Sequence, residues 1–217
     1  MNKIGMNAQE LRLCLEFVAE TVIGEESRLT SLDSAIGDGD HGITMRIGFE
    51  AIKRKLSSLE ETADLERVFD QAGKSFMGAT GGAIGVLLGS MLTASGKALS
   101  GSAEMGAAEF KRVLEAMESS LIKLGKAKPG DKTILDAVHA ACETVTNSGQ
   151  ADLLSLCKIA AEAAAKGAEN TAGMLCAKGR ASRLGDRVLG HPDPGAVSFS
   201  IVLGAMAKWL ASHPDIV

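Results

Sequence analysis

The chain has no tyrosine, one tryptophan and six phenylalanines, an aromatic content of 3%. Nor does it carry an excess of basic residues: 23 lysines and arginines stand against 27 aspartates and glutamates, a net charge of −4. With neither stacking rings nor a basic stripe, nucleic acid is excluded as a partner. Cysteine is scarce, and Cys14, Cys142, Cys157 and Cys176 are scattered without a C-x-x-C pair. That spacing excludes a disulfide framework and a zinc site; the four read as small buried hydrophobes in a reducing compartment. The N-terminal MNKIGMNAQELRL shows no secretory pattern. The longest apolar run, Ala83 to Ala94, is broken by glycine and serine and is too short to span a bilayer. A cytoplasmic chain with no membrane partner is expected. What is present is an ordinary globular composition, 46% apolar and 23% charged over 217 residues. That suffices for one sizeable core, so a single domain over 1–217 is expected.

Alternating β-branched runs are missing as well, and helical periodicity takes their place. Asn7-Ala8-Gln9-Glu10 is a capping box, after which Leu11, Leu15, Val18, Ala19 and Val22 mark one face. A second piece over about 25–34 continues the first helix past a kink near Gly24. Further helices are expected over 42–56, 64–78, 84–98, 107–124, 133–148, 152–175 and 196–211. The fold class is therefore all-α. Two kinds of connection alternate along it. IGDGDHG (36–42), MGATGG (77–82), GKAKPGDKT (125–133) and KGRASRLGDRVLGHPDPG (178–195) are chemically unusual, whereas SSLEETA, SGSAEMG and NSGQA are bland. In an up-and-down antiparallel bundle every second connection lies at the same end, so the unusual loops are expected to converge.

The loop GDGDHG fits the dinucleotide pattern G-x-G-x-x-G, but a helix precedes it where that fingerprint needs a strand. Counted as an EF-hand from Asp38, it places Ile43 where glycine belongs and Phe49 where glutamate belongs. Gly73-Lys74-Ser75 imitates a Walker motif, but Val68 stands at its first glycine. What remains is a set of three carboxylates, Asp33, Asp38 and Asp40, with Asp33 closing one helix and Asp40 at the N-cap of the next. Glycines between them let like charges converge, an arrangement a divalent cation neutralises; oxygen donors alone favour Mg²⁺. The backbone N–H groups from His41 to Thr44 would then attract an anion. An Asp/Gly turn with a helix cap explains the same loop. Gly78, Gly81, Gly82 and Gly85 bring backbone close to a ligand or to another helix, and Lys178, Arg180, Arg183 and Arg187 supply cations. Lys126, Lys128 and Lys132 read as solvated, His139 and His213 carry no signal, and Trp209 reads as packing. No nucleophile–base set stands out, so no catalytic residue is assigned.

Together the motifs Leu32–Gly42, Gly81–Gly85, Gly125–Thr133, Lys178–Gly185 and Gly190–Ala196 resemble the nucleotide-binding L-subunit family of dihydroxyacetone kinases, in the family's order and over nearly the whole chain. The resemblance implies an antiparallel eight-helix barrel with the nucleotide at one end. It implies that Asp33, Asp38 and Asp40 hold two Mg²⁺ ions bridging the phosphates of ADP or ATP. By the same resemblance His41, Gly42, Ile43, Thr44, Ala83 and Ile84 contact phosphates, Gly125 and Ile134 border the adenine, and Arg180, Asp193, Pro194 and Gly195 complete the pocket. The implied partners are a substrate-binding K subunit, which holds the ketose, and a phosphotransferase-system phosphoryl donor. Two departures stand out: Ile84 and Val86 replace the usual serine and proline, which removes a phosphate-facing hydroxyl, and Thr44 replaces a common asparagine. The rival reading is a divalent-metal-binding interaction module without phosphoryl transfer, which would have no need of the basic and glycine-rich loops.

Overall fold

The computed structural model describes residues 5–216, the side chain of Arg180 lying outside the description. Nine α-helices are described: α1 (Ala8–Gly24), α2 (Glu26–Ile36), α3 (His41–Ser57), α4 (Leu65–Ala79), α5 (Gly82–Ala98), α6 (Ala107–Gly125), α7 (Ile134–Thr146), α8 (Leu153–Asn170) and α9 (Pro194–Ala211). Their starts follow the local chemistry. The Asn7 amide oxygen accepts from Glu10 N at 3.0 Å while Glu10 accepts from Asn7 N at 2.9 Å, as the capping box requires. Asp64, Asp152 and Asp193 cap α4, α8 and α9 by accepting from Arg67 N, Ser155 N and Ala196 N. The expected helix over 152–175 stops earlier, at Asn170, because the Thr171 hydroxyl turns back to Ala168 O and the chain tightens into a 3-10 turn. Within the long loop, Arg180–Val188 holds 3-10 turns on either side of a break at Gly185, at φ 56°, that periodicity did not indicate. Among the described residues the one β contact is an isolated bridge between Met6 and Met105.

Each helix packs on the next, α1 on α3 and then in order to α9, which returns to α1 and closes the ring; α2 continues α1 past the bend at Glu25 and lies on α3 and α9. Counting α1 and α2 as one, this is the eight-helix barrel. The tightest seam is α4 on α5, where a β-carbon added to Gly73 would lie 2.5 Å from Gly89 O and one added to Gly89 would lie 2.8 Å from Gly73 O. Phenylalanine and methionine fill the axis, with Phe49 and Phe76 meeting edge to face at 5.7 Å. A cavity of about 60 Å³ remains among Phe49, Phe76, Met91, Phe110, Phe199 and Met206. Walls of this kind offer a water molecule no partners, so it stays dry.

Helix α9 has the length and composition of a membrane span, but 61% of it is buried inside the bundle. Trp209 is buried and stacks on His213 at 4.1 Å, a packing role as expected. Cys14, Cys142 and Cys157 are buried free thiols, and burial pushes Cys14 up to about 12; Cys176 is only partly buried. Two of the bland connections lie against the start of α1: Met6 and Met105 exchange backbone hydrogen bonds of 3.1 and 2.7 Å, and Arg12 Nη1 donates to Leu59 O at 3.4 Å.

Candidate functional site

At the opposite end, α2 stops at Ile36, the chain turns through Gly39 at φ 77°, and α3 starts at His41. The turn gathers the carboxylate oxygens of Asp33, Asp38 and Asp40 within 4.8 Å of one another. Asp33 is partly buried; Asp38 and Asp40 are exposed. The cap differs from the expected one. Asp40 occupies the N-cap position but has helical backbone and makes no side-chain cap, and Asp33 Oδ2 accepts from His41 N at 3.2 Å instead. A carboxylate from the end of one helix thus caps the start of the next, which holds Asp33 against the other two. Gly42 makes this possible: a β-carbon there would sit 2.6 Å from Thr30 N and closer still to Glu26 O.

His41 and Thr44 already use their backbone N–H groups inside the chain, toward Asp33 Oδ2 and Asp40 O. The His41 ring is buried, with Nε2 2.6 Å from Ser198 Oγ, and Ser198 Oγ donates to Pro194 O at 2.8 Å. His41 Nε2 is therefore the donor, and the ring ties α3 to α9. Burial lowers its pKa, against the pull of nearby Asp33.

The glycine turn enters α5 with Gly81 and Gly82 at φ 69° and 67°, Ala83 exposed and Ile84 partly buried, and no side chain caps it. Gly125 ends α6 beside the Leu87 side chain of α5. Ile134 begins α7, and a β-carbon on Gly195 would lie 3.3 Å from Ile134 Cβ, so these two meet. The side chain of Arg180 lies outside the described residues; Lys178, Arg183 and Arg187 are exposed.

The 125–133 turn and the 171–193 segment form one polar lattice. Asp136 accepts from Thr133 N at 2.7 Å and from Gly130 N, and Asp131 accepts from Lys128 N at 3.0 Å. Ala177 N donates to Asp131 O at 3.1 Å, and Asp193 N to Thr171 Oγ1 at 2.8 Å. One expectation is overturned here: Lys132 is not solvated but 1% exposed, with its ammonium on three carbonyl oxygens. Asp136 was legible as the fourth residue of a T-x-x-D cap. Lys132 was not, because its acceptors lie 39 to 59 residues away.

Burial raises the Asp193 carboxyl to about 7, the Ala196 N–H opposes that, and Asp136 adds to it. Its folded pKa exceeds the unfolded value of 3.8, so its contribution to stability is full below that value and is lost as pH rises through about 7. Asp193→Asn keeps the cap acceptor and removes the titration. In metal-free buffer its melting temperature should fall less than the wild type's between about pH 4 and about pH 8. Parallel curves by scanning calorimetry would refute a strained Asp193 carboxylate.

A family model described as DAK2 domain matches residues 35–208. The chain is 34% identical over 210 residues to the PEP-dependent dihydroxyacetone kinase 2, ADP-binding subunit DhaL, of Listeria innocua, covering 96% of this chain and 97% of that protein. It is 35% identical to the human triokinase/FMN cyclase over 96% of its own length but 36% of that protein's, so it spans about a third of this longer relative. The crystal structure of the dihydroxyacetone kinase from C. freundii in complex with AMP-PNP and Mg²⁺ superposes with a TM-score of 0.69 at 28% identity, over 96% of this chain and 35% of that one.

Proposed function

The chain belongs to the DAK2-domain family, and on that premise we propose that it is the nucleotide- and Mg²⁺-binding subunit of a dihydroxyacetone-type kinase. As a single DAK2-type domain it carries the phosphoryl group on ADP/ATP for transfer to a ketose held by a partner K subunit. The observation that carries this reading is the convergence of Asp33, Asp38 and Asp40 within 4.8 Å at the start of α3. The residues fit the group: three hard oxygen donors, two of them exposed, crowd at a helix N-terminus with no sulfur or imidazole among them. When bound, Mg²⁺ supplies charge neutralisation on the phosphate oxygens.

The chain's own residues do the rest. Asp33, Asp38 and Asp40 hold two ions. The first turn of α3, through Gly42, Ile43 and the Thr44 side chain, and the α5 entry at Ala83–Ile84 face the phosphates. With isoleucine at 84, the grip of that second turn rests on backbone N–H groups and the partial positive charge of the helix end. Gly125 and Ile134 border the base, and Arg180, Asp193, Pro194 and Gly195 close the pocket. His41 acts indirectly, holding Asp33 with its backbone N–H and bracing α3 on α9 with its ring. The Listeria innocua relative is called PEP-dependent and ADP-binding, which supports a resident ADP rephosphorylated by a phosphotransferase-system protein over an exchanging ATP.

Titration calorimetry of the purified chain with ADP tests this, with and without Mg²⁺. Mg²⁺-dependent ADP binding is expected, with one nucleotide per chain. Metal binding with no nucleotide binding would leave a metal module and end the kinase reading.

A further inference from the structure

The Lys132 ammonium is the most thoroughly enclosed charge among the described residues. Its Nζ donates to Thr171 O at 2.7 Å, Val188 O at 2.9 Å and His191 O at 2.6 Å. An ammonium has three N–H donors and carbonyl oxygens only accept, so all three donors are used and the nitrogen is protonated. A charge withdrawn this far from water is costly unless every donor is satisfied. The backbone of Lys132 is also held left-handed, at φ 58°, a conformation a lysine adopts only under constraint.

The three acceptors lie in separate stretches of the long loop. Thr171 follows α8, Val188 ends the 3-10 segment, and His191 stands two residues before the α9 cap. On its other side, Lys132 is two residues from Ile134, against which Gly195 packs. Thr171 has a second duty, since its hydroxyl accepts from Asp193 N. One amine thus joins the turn that leads into α7 at Ile134 to the segment that ends at Asp193, the cap of α9, the helix that holds Gly195.

We propose that Lys132 is a positioning residue of the nucleotide site: its ammonium fastens the 171–193 segment to the 125–133 turn and so fixes the wall that meets the nucleoside. The inference rests on the nucleotide reading of the site. The tethered 3-10 segment lies against α2, but the aspartate cluster is gathered by its own turn between α2 and α3 and by the Asp33–His41 cap. Loss of Lys132 therefore weakens binding of the nucleoside part and leaves the metal–phosphate part intact.

Lys132→Ala removes the equivalent of propylammonium from a formed cavity. Calorimetry in Mg²⁺ is run with ADP and, separately, with inorganic pyrophosphate. For the variant the ADP dissociation constant rises on the order of tenfold or more, as when support behind a binding group is lost, while that for pyrophosphate stays within about twofold. Added propylammonium restores ADP binding; propanol, of the same size without the charge, does not. Unchanged ADP affinity, a parallel loss of ADP and pyrophosphate, or equal rescue by propanol would each overturn the tether. If Lys132→Ala loses its helical circular dichroism, Lys132→Gln, which keeps two N–H donors, must show the same split between the two ligands or the inference fails. Wild-type protein that binds no ADP overturns the underlying nucleotide reading, a result distinct from any of these.

Discussion

Asp38→Ala abolishes Mg²⁺-dependent ADP binding and leaves the helical circular dichroism unchanged. Asp38 is exposed and lies in the turn between α2 and α3, so its truncation removes little buried surface. Its carboxylate is one of three whose oxygens lie within 4.8 Å. Removing one ligand charge from such a site weakens the hold on a metal–phosphate complex by about a hundredfold or more, roughly 3 kcal/mol. Ligand linkage gives a second readout: Mg²⁺ with ADP raises the wild-type melting temperature and fails to raise that of the variant. Asp33→Asn separates two duties of the neighbouring residue, because an amide oxygen still accepts from His41 N but supplies no charge. It should therefore keep the wild-type melting temperature within a few degrees and lose the metal dependence. An Asp38→Ala protein with wild-type affinity would remove the carboxylates from the mechanism.

Gly42→Ala lowers both stability and Mg²⁺–ADP affinity, although alanine is the better helix former. A β-carbon at Gly42 would lie 2.6 Å from Thr30 N and closer to Glu26 O, atoms of the α2 backbone that cannot rotate away. Overpacking of this kind costs about 1–3 kcal/mol, more than the roughly 1 kcal/mol alanine returns through helix propensity. The relief is for α2 and α3 to part, and that separates Asp33 on α2 from Asp38 and Asp40. It also strains the link from Arg46 of α3 to Glu26 of α2, now 3.0 Å. Gly204→Ala is the control: Gly204 is an exposed glycine in α9 with nothing near its missing β-carbon, so the substitution should be neutral or stabilising. Thermal melts of the two variants that shift alike would show that the α2–α3 contact is not tight. A destabilised Gly42→Ala that retains full affinity would show that the aspartates do not rely on it.

Much of the fold was legible because its signals are local. The capping box at Asn7–Glu10, the bend near Gly24 and the starts of α4, α6, α7 and α8 come from contacts three or four residues apart, which periodicity and cap chemistry report. The aspartate cluster was legible for the same reason, since Asp33, Asp38 and Asp40 are joined by one glycine-rich turn. Where the expectation failed, the deciding partner was distant. Asp40 loses the cap to Asp33 because α2 and α3 touch at Gly42. The His41 ring turns inward because Ser198, 157 residues on, offers it an acceptor. Lys126 is exposed, whereas Lys132 in the same turn is buried because three carbonyls from another loop close around it.

The sequence by itself determined the helices, their order, the alternation of unusual and bland connections, and the three carboxylates that mark the site. Those follow from periodicity, capping and turn chemistry, which act within a few residues. Tertiary structure alone decided which carboxylate caps α3, that His41 braces α9, and that Lys132 binds one loop to another. Each of these satisfies a polar group that closure of the ring removes from water, and the partner is whichever residue the opposing helix or loop brings within reach.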